Sequence, residues 1–230
     1  MTGEPSGWLP GVIRIETAAW GYSDIAPDGL YPKAVVNHVA QGFYTTLQSM
    51  MRSPDPGKSW HFAVSRKGEI TQSVSIWNPA WHAGDVNTPT WRGYTGGNPN
   101  KSTIGIECEG FSISAPGVDY VYNTSKPWPD AMVESVIRIH RFVFDSCANW
   151  IGVPSEDNVI THSMLNSKSR AQDPGDLWLA TVRPRIIAAL LPAPPTPPAP
   201  TAPTYDTEGA KRDLRAAMDA AAAALIKLGG

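Results

Sequence analysis

The chain has 230 residues, 42% hydrophobic and 9% aromatic, enough apolar material for a buried core and too much for global disorder. Nineteen Lys and Arg against 21 Asp and Glu give a formal net charge of −2, too balanced for a protein that lives on nucleic-acid phosphates. No run of about 18 apolar residues exists to span a membrane, the first residues lack a basic and an apolar signal region, and Cys108 and Cys147 alone cannot build a disulfide framework or a cysteine metal site, so a reducing cytoplasm is the expected place of synthesis.

In chain order, the β-branched run Ala-Val-Val-Asn-His-Val at 34–39 predicts a buried strand, and apolar spacing at Leu47, Met50 and Met51 a helix over 45–52. Residues 60–64 and 70–76 read as a hairpin that turns at Lys67 and Gly68. Residues 103–109 are a further strand, and 130–150 an amphipathic helix with Met132, Val133, Val136, Ile137, Val143, Phe144 and Cys147 on one face. His140 falls on that stripe as a packing histidine, and both cysteines read as small buried hydrophobes. A short strand at 159–161 ends at His162, and 177–190 closes the region as a helix with a candidate interruption at Pro184. Interleaved strands and helices predict an α/β sheet covered on both faces. The Gly-, Pro-, Asn- and Trp-rich stretches 77–100 and 111–129 read as loops that shape a groove.

Composition changes near Leu191. Seven of the twelve residues 192–203 are proline and the rest Ala or Thr, a semi-rigid spacer of polyproline character. All nine tryptophans and all five histidines precede it, and the tail after it carries as many acidic as basic residues. The expected organisation is a catalytic domain over 1–190, a linker over 191–205 and an Ala-rich helix over 206–230. Leu214, Met218, Ala221, Leu225 and Leu228 form a narrow apolar seam on that helix, which reads as a partly frayed helix, as a surface for self-association or docking, or as a wall anchor.

His38 stands near the carboxyl end of one strand and His162 just past another, where ligands gather in open α/β sheets. Asp173 follows His162 by eleven residues, and Pro174 stiffens the turn that carries it. Two imidazoles, a carboxylate and one open position make the ligand set of a catalytic zinc site. With no local H-x-x-x-H pair, spacing alone leaves open the alternative of scattered structural histidines.

The order of landmarks goes further: Val-Val-Asn-His38, Trp60-His-Phe-Ala-Val with Arg66-Lys-Gly-Glu-Ile70, Ala80-Trp-His-Ala-Gly84, Ser102-Thr-Ile-Gly-Ile-Glu107, Thr161-His162 and Asp173-Pro-Gly175. This series resembles the zinc-dependent N-acetylmuramoyl-L-alanine amidases of the amidase-2 group, which includes phage lysins, wall-recycling amidases and peptidoglycan recognition proteins. The resemblance covers roughly residues 30–190. It implies a mixed central β-sheet flanked by helices, one zinc per chain, and cleavage of the amide that joins muramic acid to L-alanine.

Carried over by position, the resemblance implies His38, His162 and Asp173 as zinc ligands, and Glu107 as the acidic residue that handles the attacking water. The alternative for Glu107 is a surface carboxylate at a strand end, with Glu109, of the same parity, as the fallback. Where the family usually carries a lysine two residues before the aspartate, this chain has Ala171; Arg170 is the preferred cation, ahead of Lys168 or no cation at all. His61 matches a histidine near the pocket, with substrate contact and structural hydrogen bonding both open. His82 matches a groove-lining position facing the peptide or Glu107. Trp60 and Trp81 complete the expected substrate side, and Trp77, Trp81 and Trp91 read as stacking surfaces or core filling.

The resemblance makes the expected partner bacterial peptidoglycan, with no nucleic acid and no membrane span, and self-association through the terminal helix remains one reading of the tail. The role expected is a phage endolysin, made in the host cytoplasm and reaching the wall on release. The alternatives are a cytosolic anhydromuropeptide-recycling amidase and a non-catalytic peptidoglycan-binding module.

Overall fold

The computed structural model describes residues 7–18, 31–54, 57–111, 127–192 and 206–228, with side chains as far as 220 in the last segment. The chain divides into two units, Met1–Pro192 and Ala193–Gly230. The first is built on six strands: β1 (Ile13–Arg14), β2 (Ala34–Val39), β3 (Phe62–Val64), β4 (Ile70–Gln72), β5 (Thr103–Cys108) and β6 (Val159–Thr161). They lie in the order β1-β4-β3-β5-β2-β6. Only the β3/β4 pair is antiparallel; every other neighbour is parallel. The sheet is therefore mixed, as the resemblance implied.

The described residues of the first unit also form five α-helices, α1 (Tyr44–Arg52), α2 (Asp130–Ser146), α3 (Ala148–Ile151), α4 (His162–Leu165) and α5 (Asp176–Leu190), and those of the second form α6 (Thr207–Leu228). None is long and apolar enough to cross a membrane.

Side-chain alternation divides the sheet into two different faces. Val35, Val39, Phe62, Val64, Ile104, Ile106, Cys108 and Val159 point to one, where α2 and α5 cover them with Met132, Val133, Val136, Val143, Trp178, Val182 and Ile186. The other face is apolar only at its flanks. At one flank Tyr44, Leu47 and Met51 of α1 cluster with Trp60 and Ala63; at the β6 end lie Ala34, Val36, Ile160, Leu165, Ala83 and Trp91. Between these two clusters the strands present His38, Gly105 and Glu107, with His61 just ahead of β3.

The β3–β4 hairpin turns as expected. Ser65 Oγ accepts from the Lys67 and Glu69 amides, and Gly68 adopts φ +87°. A Cβ on Gly68 would also stand 2.7 Å from the Ala131 carbonyl oxygen of α2, so glycine is required there twice over.

Three expectations are corrected. The predicted helix over 130–150 breaks at Cys147, which leaves helical geometry (φ −109°, ψ 19°) between α2 and α3. The second hairpin strand ends at Gln72 rather than continuing to residue 76; Ser73 still donates its amide to the His61 carbonyl at 2.9 Å, and past it the pairing with the β3 segment stops. Pro184 does not interrupt α5. Pro184 and Ala180, whose carbonyl the missing N–H would have capped, are both exposed, so water can take that carbonyl. Residues 112–126 of the second predicted loop and 193–205 of the predicted linker lie outside the described residues.

Candidate metal centre

β2 and β5 pair in parallel with His38 opposite Glu107, so both side chains rise from the same face in adjacent strands. β6 pairs on the other side of β2 and delivers His162 at the first residue of α4. Asp173 enters from the loop ahead of α5, held by main-chain bonds from its amide to the Arg170 carbonyl and from the Ser163 amide to its own carbonyl.

These elements bring three groups to one point. His162 Nδ1 lies 3.0 Å and His38 Nδ1 3.5 Å from the same atom, Asp173 Oδ2. All three donor atoms fall within 4.8 Å of one another. Donors at tetrahedral zinc distances lie about 3.3 Å apart, so the set has the size of a coordination triangle. The other carboxylate oxygen is already committed: Asp173 Oδ1 accepts the Val39 amide at 2.8 Å, which aims Oδ2 at the two imidazoles. His162 Nε2 is buried and has no hydrogen-bond partner among the described residues. A divalent ion fits this donor set, and Glu107 leaves the same face of the sheet beside His38.

Electrostatics agree with that arrangement. Burial pushes Asp173 up, but His38 and His162, facing its Oδ2, outweigh it and hold the carboxyl well below its usual range. His38 is pushed down from the ordinary imidazole value by burial, partly offset by Asp173. Glu107 is raised well above the usual carboxyl range, first by burial and then by the charge of Asp173, with Lys58 and Arg170 pulling the other way. Its Oε2 is buried without a partner among the described residues.

The remaining expected site residues divide into rim and underlay. Trp81 is 40% exposed. Arg170 and Lys168 are exposed, and Arg170 is near enough to act on both His38 and Glu107. Trp60 and His61, expected as substrate contacts, are 1% and 0% exposed and cannot meet a substrate at the surface. Trp60 packs under α1, and both His61 nitrogens are occupied, Nδ1 by the Gly105 amide and Nε2 by the Asn78 carbonyl. His82 is turned inward, its Nδ1 3.0 Å from His38 Nε2. Glu109 accepts the Arg66 amide and lies beyond the end of β5. His140 is buried on the opposite face, between Val136 and Asn37, as a packing histidine.

Lys58 is the participant that sequence reading did not single out. It sits on the loop before β3, an exposed lysine with no motif around it, and its proximity to Glu107 is created by the fold alone.

The chain is similar to known proteins. The family model described as N-acetylmuramoyl-L-alanine amidase (Amidase_2) matches residues 28–176. N-acetylmuramoyl-L-alanine amidase A of Achromobacter lyticus is 29% identical over 156 residues, covering 62% of this chain and 75% of that protein. A crystal structure of a selenomethionine AmpD derivative superposes with a TM-score of 0.55 at 22% identity, over 82% of this chain and 98% of that one. A mutant endolysin from Bacillus subtilis gives 0.51 at 19%, over 80% and 100%. At these identities the two structures bear on the fold, and they match its mixed sheet and flanking helices.

Proposed function

The chain belongs to the Amidase_2 family and is an N-acetylmuramoyl-L-alanine amidase acting on peptidoglycan; from that premise we propose that it opens the amide between N-acetylmuramic acid and the stem-peptide L-alanine by zinc-activated water, as the wall-lysing enzyme of a phage. The observation that carries this reading is the convergence of His38 Nδ1, His162 Nδ1 and Asp173 Oδ2, with the Glu107 carboxyl beside them.

His38, His162 and Asp173 would hold one zinc ion. Bound there, zinc supplies Lewis acidity, lowering the pKa of a water to about 7 and drawing charge from an amide carbonyl. Glu107 Oε2, buried and uncommitted, accepts the proton of the attacking water and returns it to the alanine nitrogen, which cannot leave as an anion. Its raised pKa suits this alternation, since a group that both takes and gives a proton works best near the operating pH. Arg170, exposed and close enough to act on His38 and Glu107, steadies the negative oxygen of the tetrahedral intermediate. Trp81 offers an exposed ring to the sugar or peptide on the rim.

The lytic role is supported by the composition that follows the catalytic unit: a Pro/Ala/Thr spacer over 191–205 and then a helix, appendages that a freely diffusing recycling enzyme does not need. The proposed organisation is a catalytic domain over 1–190 joined by that spacer to the helical tail. Leu214 and Met218 are 64% and 65% exposed on the tail helix, which supports self-association as its role. The proposed site of synthesis is the host cytoplasm, with action on the wall after release.

Mass spectrometry of purified sacculi digested by the full chain tests the reading. Release of peptides with new N-terminal L-alanine from intact sacculi supports it. Cleavage confined to soluble anhydromuropeptides would assign the recycling role instead, and no cleavage of either would leave a binding module.

A further inference from the structure

Thr103 Oγ1 donates its proton to the Pro99 carbonyl at 2.9 Å, so both Thr103 oxygens can only accept from His82 Nε2, which lies 3.3 Å from the hydroxyl and 3.4 Å from the carbonyl. His82 Nε2 therefore carries a proton. Buried and neutral, the ring then has a bare Nδ1, and the atom facing it at 3.0 Å, His38 Nε2, must be the donor. That places the proton of neutral His38 on Nε2 and leaves its Nδ1 lone pair aimed at Asp173 Oδ2, 3.5 Å away. With that tautomer, His38 Nδ1 and Asp173 Oδ2 are two acceptors facing one position, which a divalent ion would fit.

We infer that His82 is a positioning residue for the metal centre: through the chain Thr103–His82–His38 it fixes the tautomer that keeps His38 Nδ1 free for a divalent ion. The inference rests on the proposed metal site and goes beyond the groove-lining role the sequence suggested.

The surroundings are built to hold this ring. Asn100 Oδ1 accepts the amides of both His82 and Ala83, at 3.0 and 2.7 Å. On β5, Gly105 leaves the room the ring occupies: a Cβ there would come 2.4 Å from His82 Cγ. A hydrogen-bond partner behind a metal-binding imidazole typically changes metal affinity by about 10- to 100-fold.

The test is a chelator-competition measurement of zinc affinity on the full chain, with the wild type, His82→Ala, His82→Asn and Gly105→Ala, each checked for a native circular-dichroism spectrum. His82→Ala should weaken zinc binding about 10- to 100-fold. His82→Asn, whose amide oxygen can replace Nδ1 as acceptor, should recover most of the loss. Gly105→Ala should weaken binding with His82 still present. Wild-type affinity in His82→Ala, or no rescue by Asn, overturns the relay while leaving the ligand set standing. A wild type that binds no zinc overturns the metal reading and the relay with it. Nitrogen-15 imidazole shifts of the metal-free wild type need no substitution: protons on Nε2 of both His38 and His82 are expected, and a proton on Nδ1 of either contradicts the inference.

Discussion

His38 and Glu107 are register partners in adjacent parallel strands, so a proposed metal ligand and the proposed proton carrier leave the same face of the sheet side by side. The sheet, rather than a flexible loop, sets their separation. Replacing Glu107 by Gln or Ala keeps the ligand set intact, so zinc content should stay at the wild-type level while kcat falls about 10²- to 10⁴-fold. Wild-type turnover by either variant would remove Glu107 from the mechanism.

Arg170 is exposed yet close enough to act on His38 and Glu107, whereas no such influence is found for Lys168. Arg170→Ala should lower kcat about 10- to 100-fold with KM little changed, and Lys168→Ala should leave both near wild type. Steady-state kinetics on soluble muropeptides distinguishes the two. The opposite ranking would hand the role to Lys168.

Two buried histidines away from the ligand set make stability depend on acid. Burial lowers His61 and His140 from 6.5 to about 4. Between those values the unfolded chain binds protons that the folded chain refuses, so stability is fully present above pH 6.5 and is lost as pH falls toward 4. Each group can contribute up to about 3 kcal/mol over that window. Urea unfolding of chelator-treated protein at pH 7.5, 5.5 and 4.5 should show a progressive loss, and His140→Gln should flatten it. A flat profile in the wild type would mean that neither ring is held neutral in the folded state.

Gly68 locks the hairpin to α2 through a positive φ and a tight approach to the Ala131 carbonyl. Gly68→Ala should cost about 1–3 kcal/mol in chemical denaturation while leaving zinc affinity unchanged, since the hairpin turn carries no ligand. A neutral substitution would show that the turn and α2 can shift apart.

Much of this was legible in the sequence, for identifiable reasons. The run at 34–39 is buried on both faces, so its unbroken apolar character announced β2, with matching ends. α2 was equally plain through its amphipathic spacing, but that spacing runs on through Ile151, so the break at Cys147 left no mark. β1 has only two residues and carries no period; it exists because Gln72 and Ser73 of the next segment accept the amides that follow it. The proposed ligand set was recognisable from the order of motifs, with His38 and His162 at strand ends and Asp173 on the turn ahead of α5. The depth of His61 and His82 was not. For His82 it depends on Gly105, a residue whose missing side chain makes room for a ring 23 positions earlier, and no local pattern encodes such a vacancy.

Zinc stoichiometry addresses the central claim most directly. Elemental analysis of the purified full chain, after dialysis against a weak chelator, should find one zinc per chain in the wild type and in Glu107→Gln. His38→Ala and Asp173→Ala should retain essentially none. One full equivalent of zinc in both of these ligand variants would contradict the account, because the ion would then be held somewhere other than between His38, His162 and Asp173.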